Sequence, residues 1–281
     1  MAERPPRRRA ARPSGVLLAA AAAAALALYL AVGAAERPRS MAALGDSLTS
    51  ALRACSPDAA IDCRESSWST GASGEVNSHF VRRRVRSAGL AASNLAVSGR
   101  KVDDLLRQAR QAVLEDAEYV TILIGTNDIC RESLAAMTPV PAFRASFERA
   151  LATLAEGVPA ARIFVSSVPD PSRLRDLLGD DPDARAVWAA GATCSVFLQD
   201  PGSELAADRR RRAQAREHLV AVNRQLAEVC ARHARCVFDA NAVHSWDFRR
   251  EHISTTDYFH LSRQGQAALA ALTYPLAFPG S

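Results

Sequence analysis

A chain of 281 residues, 48% hydrophobic and 23% charged, is long and apolar enough to bury a full core, which excludes a disordered tail, a collagen-like repeat and a disulfide-built miniprotein. Its net charge of +5 resides in the first forty residues, where seven arginines face two glutamates, and the remainder balances 28 basic against 28 acidic residues. The body of the protein is neutral, so the charge is no evidence for binding to nucleic acid.

In chain order, Arg7-Arg8-Arg9 and Arg12 run into an uninterrupted small and apolar segment, residues 15–35. Val32-Gly33-Ala34 sets small residues where a signal peptidase would cut. At about 21 residues the segment is also long enough to span a bilayer. Residues 1–35 are therefore expected to be a signal peptide or an N-terminal membrane anchor, with membrane attachment through residues 15–35 in the second case. Either way the following domain, residues 40–281, is expected to be secreted or held on the outer side of the cytoplasmic membrane.

Short apolar runs at 41–44, 94–97, 119–124, 163–165 and 236–238 predict buried parallel strands. Helical periods lie between them. Val102, Leu105, Leu106, Ala109 and Val113 share one face; Phe143, Phe147, Leu151 and Leu154 share a second that stops near Gly157. Leu219, Val222, Leu226 and Val229 form a third, and Leu269 with Leu272 mark a C-terminal helix. The alternation predicts one α/β domain with a mostly parallel sheet, whose sites gather at the carboxyl ends of strands. Residues 169–201, rich in Asp, Gly and Pro, read as a long surface loop, and the arginine run 209–212 reads as a solvated helix face.

Cys55, Cys63, Cys130, Cys194, Cys230 and Cys236 are even in number and none forms a close C-x-x-C pair, which speaks against metal ligation. In an exported chain they are expected to form three disulfides. Short loops favour Cys55–Cys63 and Cys230–Cys236, leaving Cys130–Cys194, although the sequence alone does not choose among connectivities.

The predicted strand ends carry the chemistry. The first breaks into Gly45-Asp46-Ser47-Leu48-Thr49, where a serine at a tight strand-to-helix turn projects its hydroxyl beside free backbone N–H groups, as a nucleophile for an acyl carbon requires. Taken alone, it would equally be a helix cap. The second ends in Val97-Ser98-Gly99-Arg100, where Gly99 admits a close approach to the backbone, or simply turns the chain. The third ends in Gly125-Thr126-Asn127-Asp128; Asn127 would donate a side-chain N–H to an oxyanion, or make a turn. Before the last helix, Asp257 and His260 are spaced so that the carboxylate reaches the imidazole and holds it as a general base. None of the other five histidines has such a partner at that spacing. Four such elements at four successive strand mouths outweigh the bland reading of each.

These four blocks, Gly45-Asp46-Ser47-Leu48, Gly99, Gly125-Thr126-Asn127-Asp128 and Asp257-x-x-His260, resemble those of the SGNH (GDSL-type) ester hydrolases, in the same order and across nearly all of the exported domain. The resemblance implies a three-layer α/β/α, flavodoxin-like fold with a five-stranded parallel sheet. It makes Ser47 the nucleophile, His260 the base and Asp257 its orienting carboxylate. The oxyanion hole would be the backbone of Ser47 and Gly99 with the side chain of Asn127. No metal or cofactor is implied. No G-x-S-x-G elbow surrounds Ser47, which disfavours the α/β-hydrolase alternative. Ser66-Ser67-Trp68-Ser69-Thr70-Gly71, Val165-Ser166-Ser167-Val168-Pro169-Asp170 and Asp257-Tyr258-Phe259-His260-Leu261-Ser262 resemble the phospholipase B-like and actinobacterial secreted lipase branch. The expectation is thus an exported serine esterase or lipase, acting as a monomer on a small-molecule or lipid ester through an acyl-enzyme. Two alternatives stand beside it: a polysaccharide O-deacetylase on the same residues, and a catalytically inactive envelope-binding module.

Overall fold

In the computed structural model, which describes residues 37–55, 61–190 and 193–280, five parallel strands form one sheet: β1 (Ser40–Gly45), β2 (Ala91–Asn94), β3 (Tyr119–Leu123), β4 (Arg162–Val165) and β5 (Cys236–Phe238), in the order β2-β1-β3-β4-β5. β1 and β3 lie centrally and are buried along almost their whole length, which is why their sequences are apolar runs without alternation. The helices are α1 (Ser47–Ser50), α2 (His79–Arg84), α3 (Leu105–Leu114), α4 (Thr126–Ile129), α5 (Val140–Gly157), α6 (Ser172–Leu178), α7 (Pro182–Ala189), α8 (Ser195–Leu198), α9 (Ala206–Cys230) and α10 (Arg263–Ala277).

The chain steps outward from β1 to the edge strand β2, then turns back past β1 to β3, β4 and β5. Right-handed crossovers therefore put the first connection on one face of the sheet and the later ones on the other. α3, α5 and α9 pack together on one face, burying Leu105, Ala109, Phe143, Phe147, Leu151, Leu219 and Leu226. α2 and α10 share the opposite face, where His79 hydrogen-bonds Thr273 at 2.9 Å and Tyr119 at 2.7 Å. The result is helices on both sides of a five-stranded parallel sheet. The strand order reverses between β1 and β3, and in such sheets ligands bind outside the carboxyl ends of the strands at that point.

Three local expectations change. The second strand is Ala91–Asn94 rather than 94–97; at this edge the strand is made of small and partly exposed residues, so no apolar run marks it. The stretch 169–201 is not a bare loop, since it builds α6, α7 and α8 and buries Leu174, Leu178, Trp188 and Phe197. Arg212 does not face water with the rest of its run: it is 7% exposed and donates to the carbonyls of Asp200 and Ser203.

Disulfides join Cys55 to Cys63, Cys130 to Cys194 and Cys230 to Cys236. The second ties the end of α4 to the residue preceding α8, anchoring the helical excursion after β4. The expected signal peptide or anchor, residues 1–35, lies outside the described residues; among these, no helix is long and apolar enough to cross a membrane.

Candidate active site

β1 ends at Gly45, where φ is 149° and a Cβ would lie 2.1 Å from the Leu123 carbonyl oxygen of β3. Only glycine lets the chain leave the sheet this close to its neighbour. Gln108 of α3 clasps the same residue, accepting its N–H at 2.8 Å and donating to its carbonyl at 3.0 Å. Asp46 then caps α1, its Oδ1 accepting the Leu48 N–H at 3.0 Å. Ser47 is thereby fixed at the first position of a one-turn helix, 4% exposed.

His260 reaches Ser47 from the other end of the chain. An antiparallel bridge between Ile253 and Leu261 and a 2.8 Å bond from the Ser254 N–H to the His260 carbonyl shape its loop. Asp257 closes the turn: its Oδ1 accepts the N–H groups of Phe259 and His260 at 3.1 and 3.0 Å. Its Oδ2 lies 2.6 Å from His260 Nδ1, and His260 Nε2 lies 2.8 Å from Ser47 Oγ. Burial alone would raise the Asp257 carboxyl, but the hydrogen bond and charge of His260, with the two backbone donors, hold it below the usual carboxylate range. An ionised Asp257 keeps the proton on Nδ1 and leaves Nε2 bare, able to accept the Ser47 proton.

The opposite side of Ser47 is built from the mouths of β2 and β3. Gly99 has φ 79°, with open space where a Cβ would stand. Asn127 donates to the Arg100 carbonyl at 2.9 Å, and Asp128 Oδ2 accepts the Val102 N–H at 3.0 Å, so α4 holds this loop from one side. From the other side, Ser98 Oγ lies 2.9 Å from Ser50 Oγ of α1, and both hydroxyls bond Asp62 Oδ1. Ser47, Gly99 and Asn127 thus belong to one hydrogen-bonded assembly. The backbone N–H groups of Ser47 and Gly99 take no acceptor among the described residues, and Asn127 keeps its second amide hydrogen.

Several contributors are absent from the four blocks' expected roles. Asp46 is fully buried, and burial lifts its carboxyl to about 7, with Asp128 adding to the rise while the Leu48 N–H and His260 oppose it. Burial likewise raises Asp128 to about 6. Arg53 Nε lies 3.3 Å from Asp257 Oδ2, the oxygen that faces His260. No spacing rule in the sequence pairs Arg53 with Asp257 or Gln108 with Gly45. Of the remaining histidines, His79 is wholly enclosed, and burial drives it down to about 3, a neutral packing residue rather than a base. Cys55, Cys63 and Glu65 bring ligand-type atoms within 4.8 Å of one another, but both sulfurs are joined in a disulfide and offer no thiolate to a metal.

A small apolar cavity opens beside these residues. Leu48, Thr126, Phe259 and Leu261, each a chain neighbour of a site residue, form its inner wall, and Trp246 and Phe248 contribute aromatic rings.

The GDSL-like lipase/acylhydrolase family matches residues 43–268, a span that contains every block described above. Among solved structures, an alpha/beta hydrolase enzyme from the metagenome of Lake Arreo, Spain, is similar with a TM-score of 0.54 at 17% identity, over 85% of this chain and 94% of that one. A protein from Parabacteroides merdae described as a GDSL-like lipase is similar with a TM-score of 0.53 at 15% identity, over 85% and 94% of the two chains. At such identities the likeness is one of fold. No curated protein sequence matches the chain. With the family matched over most of its length, the chain belongs to the GDSL-like lipase/acylhydrolases and is a carboxylic ester hydrolase.

Proposed function

We propose that the protein is an exported serine esterase that cleaves short-chain carboxylic esters through an acyl-enzyme. The observation that carries this reading is the continuous relay from Asp257 through His260 to Ser47 Oγ, with contacts of 2.6 and 2.8 Å. Ser47 Oγ attacks the ester carbonyl carbon while His260 Nε2 takes its proton. The carbonyl oxygen becomes an oxyanion that accepts hydrogen bonds from the N–H groups of Ser47 and Gly99 and from Asn127 Nδ2. The imidazolium passes its proton to the leaving alcohol, and the C–O bond breaks. Water, deprotonated by the same imidazole, then attacks the acyl-enzyme and releases the acid with Ser47 restored.

The apolar cavity supports the short-chain part of the reading. Its walls are Leu48, Phe259 and Leu261 with the rings of Trp246 and Phe248, and a space this small takes a short acyl tail whole, where a long one would have to leave it. Three disulfides and the basic-then-apolar sequence before residue 36 support export. The same cavity would also seat the acetyl group of an acetylated saccharide, the second substrate class to test. An intact relay argues against the inactive binding module. The test is a panel of aryl esters from acetyl to palmitoyl, with an acetylated sugar and a phospholipid, on the exported domain. The expected result is a kcat/KM maximum at acetyl to butyryl; a maximum at octanoyl or longer, or on the phospholipid, overturns the short-chain reading.

A further inference from the structure

Behind Asp257 lies a segment that the catalytic blocks do not include. After α1 the chain passes through Ala51 and Arg53 with φ of 59° and 63°, conformations that non-glycine residues enter only when their surroundings hold them there. Three ties do so. Leu52 and Asp62 form an antiparallel bridge, the Arg53 N–H donates to the Ile61 carbonyl at 3.0 Å, and Cys55 is joined to Cys63. The two arms of this disulfide-closed loop reach opposite halves of the site. Asp62 bonds Ser50 and Ser98, next to Gly99, and Arg53 lies against Asp257. The Arg53 Nε is buried and takes no hydrogen bond. Its 3.3 Å approach to Asp257 Oδ2 is a contact of charge, with the N–H not aimed at the oxygen.

We propose that Arg53 is a positioning residue of the reaction, whose charge, fixed by the Cys55–Cys63 loop, sets the pH at which the Asp257–His260 pair begins to act as a base. The inference rests on the esterase reading above. Its physics is elementary. A cation beside Asp257 offsets part of the carboxylate's attraction for a protonated imidazole, and removing it restores that attraction. The other charged groups near the pair are Asp46, buried beneath Ser47, and Glu75, Arg250, Glu251 and Arg263, which line the open cleft on the outer side of Arg53. Arg53 is the cation in direct contact with the pair among the described residues.

The experiment compares full pH profiles of kcat/KM on one short aryl ester for the wild-type protein, Arg53→Met, Arg53→Gln and Arg53→Lys, together with the pH dependence of labelling by a fluorophosphonate. Met keeps the apolar stem and Gln the polar end without the charge, so one of them remains informative if the other does not fold. Removing the charge is expected to move the acid limb of both profiles upward by about half a pH unit or more, while Lys keeps it near its wild-type place. A purely structural role would lower the plateau and leave the limb unmoved. A labelled, active wild type beside charge-free variants whose limbs coincide with it, or move downward, overturns the proposal alone. A wild type that neither turns over esters nor takes the label overturns the esterase reading and this proposal with it.

Discussion

Replacing Asp257 with Asn tests the orientation of the base, and the structure allows its size to be worked out. The carboxylate uses its two oxygens differently: Oδ1 accepts two backbone N–H groups and Oδ2 accepts His260 Nδ1–H. An asparagine has only one acceptor oxygen. If that oxygen serves the backbone, the amide N–H faces Nδ1, the imidazole carries its proton on Nε2, and Ser47 has no base. If the amide turns over, Nδ1 is served but an NH₂ meets two backbone donors in a site that is 7% exposed. Losing two buried hydrogen bonds at about 1–3 kcal/mol each disfavours that productive arrangement by roughly 2–6 kcal/mol, a factor of about 30 to 10⁴. The upper end matches the loss of about 10⁴ known for the corresponding change in a serine-protease triad. The expected result is a fall in kcat within that range on a short aryl ester at neutral pH, with KM little changed and at least about tenfold more activity than His260→Ala retains. The assay uses both purified variants with circular dichroism melts as the folding control. A folded Asp257→Asn with kcat within threefold of wild type refutes the assignment, as does a loss confined to KM.

Two predictions concern the frame around the site. The buried carboxyls of Asp46 and Asp128 hold protons in the folded protein up to about 7 and 6, against an ordinary value near 4 in the unfolded chain. Their contribution to stability is therefore complete below pH ~4 and is lost as the pH rises through those values. Urea titrations should show the wild type losing stability relative to Asp46→Asn between pH ~4 and ~8, by up to about 4 kcal/mol; parallel curves would contradict it. The disulfides should differ in worth by loop length: with separations of 64 and 6 residues, Cys130→Ala/Cys194→Ala should cost about 2 kcal/mol more than Cys230→Ala/Cys236→Ala in the same titration, and an equal cost would contradict it.

Much of this architecture was legible because its signals are local. β1 and β3 are buried on both faces, so their apolar runs stand out, and Ser47, Gly99, Asn127 and His260 follow strands or precede a helix within short motifs. β2 lies at Ala91–Asn94 and not at 94–97, because an edge strand of small residues does not need an apolar run. The Pro- and Asp-rich stretch after β4 reads as a loop, although Leu174 and Leu178, four apart, have helical spacing and Pro182 behind Asp181 is a helix start with its cap. The supports of the site were not legible at all. Gln108 on Gly45, Gln266 on Leu48 and Arg53 on Asp257 join residues far apart in the chain, and a glutamine or arginine carries no mark of its distant partner.

The central claim is that Ser47 is the attacking nucleophile. Ser47→Ala removes one oxygen from the first position of α1, whose fold is secured by Asp46 and Gln108, so the variant should melt like the wild type. The decisive measurement is kcat of purified Ser47→Ala on p-nitrophenyl butyrate beside the wild type. The expected result is a loss of about 10⁶, down to what binding and the oxyanion donors alone provide; a folded Ser47→Ala that keeps a tenth of wild-type turnover would contradict the assignment.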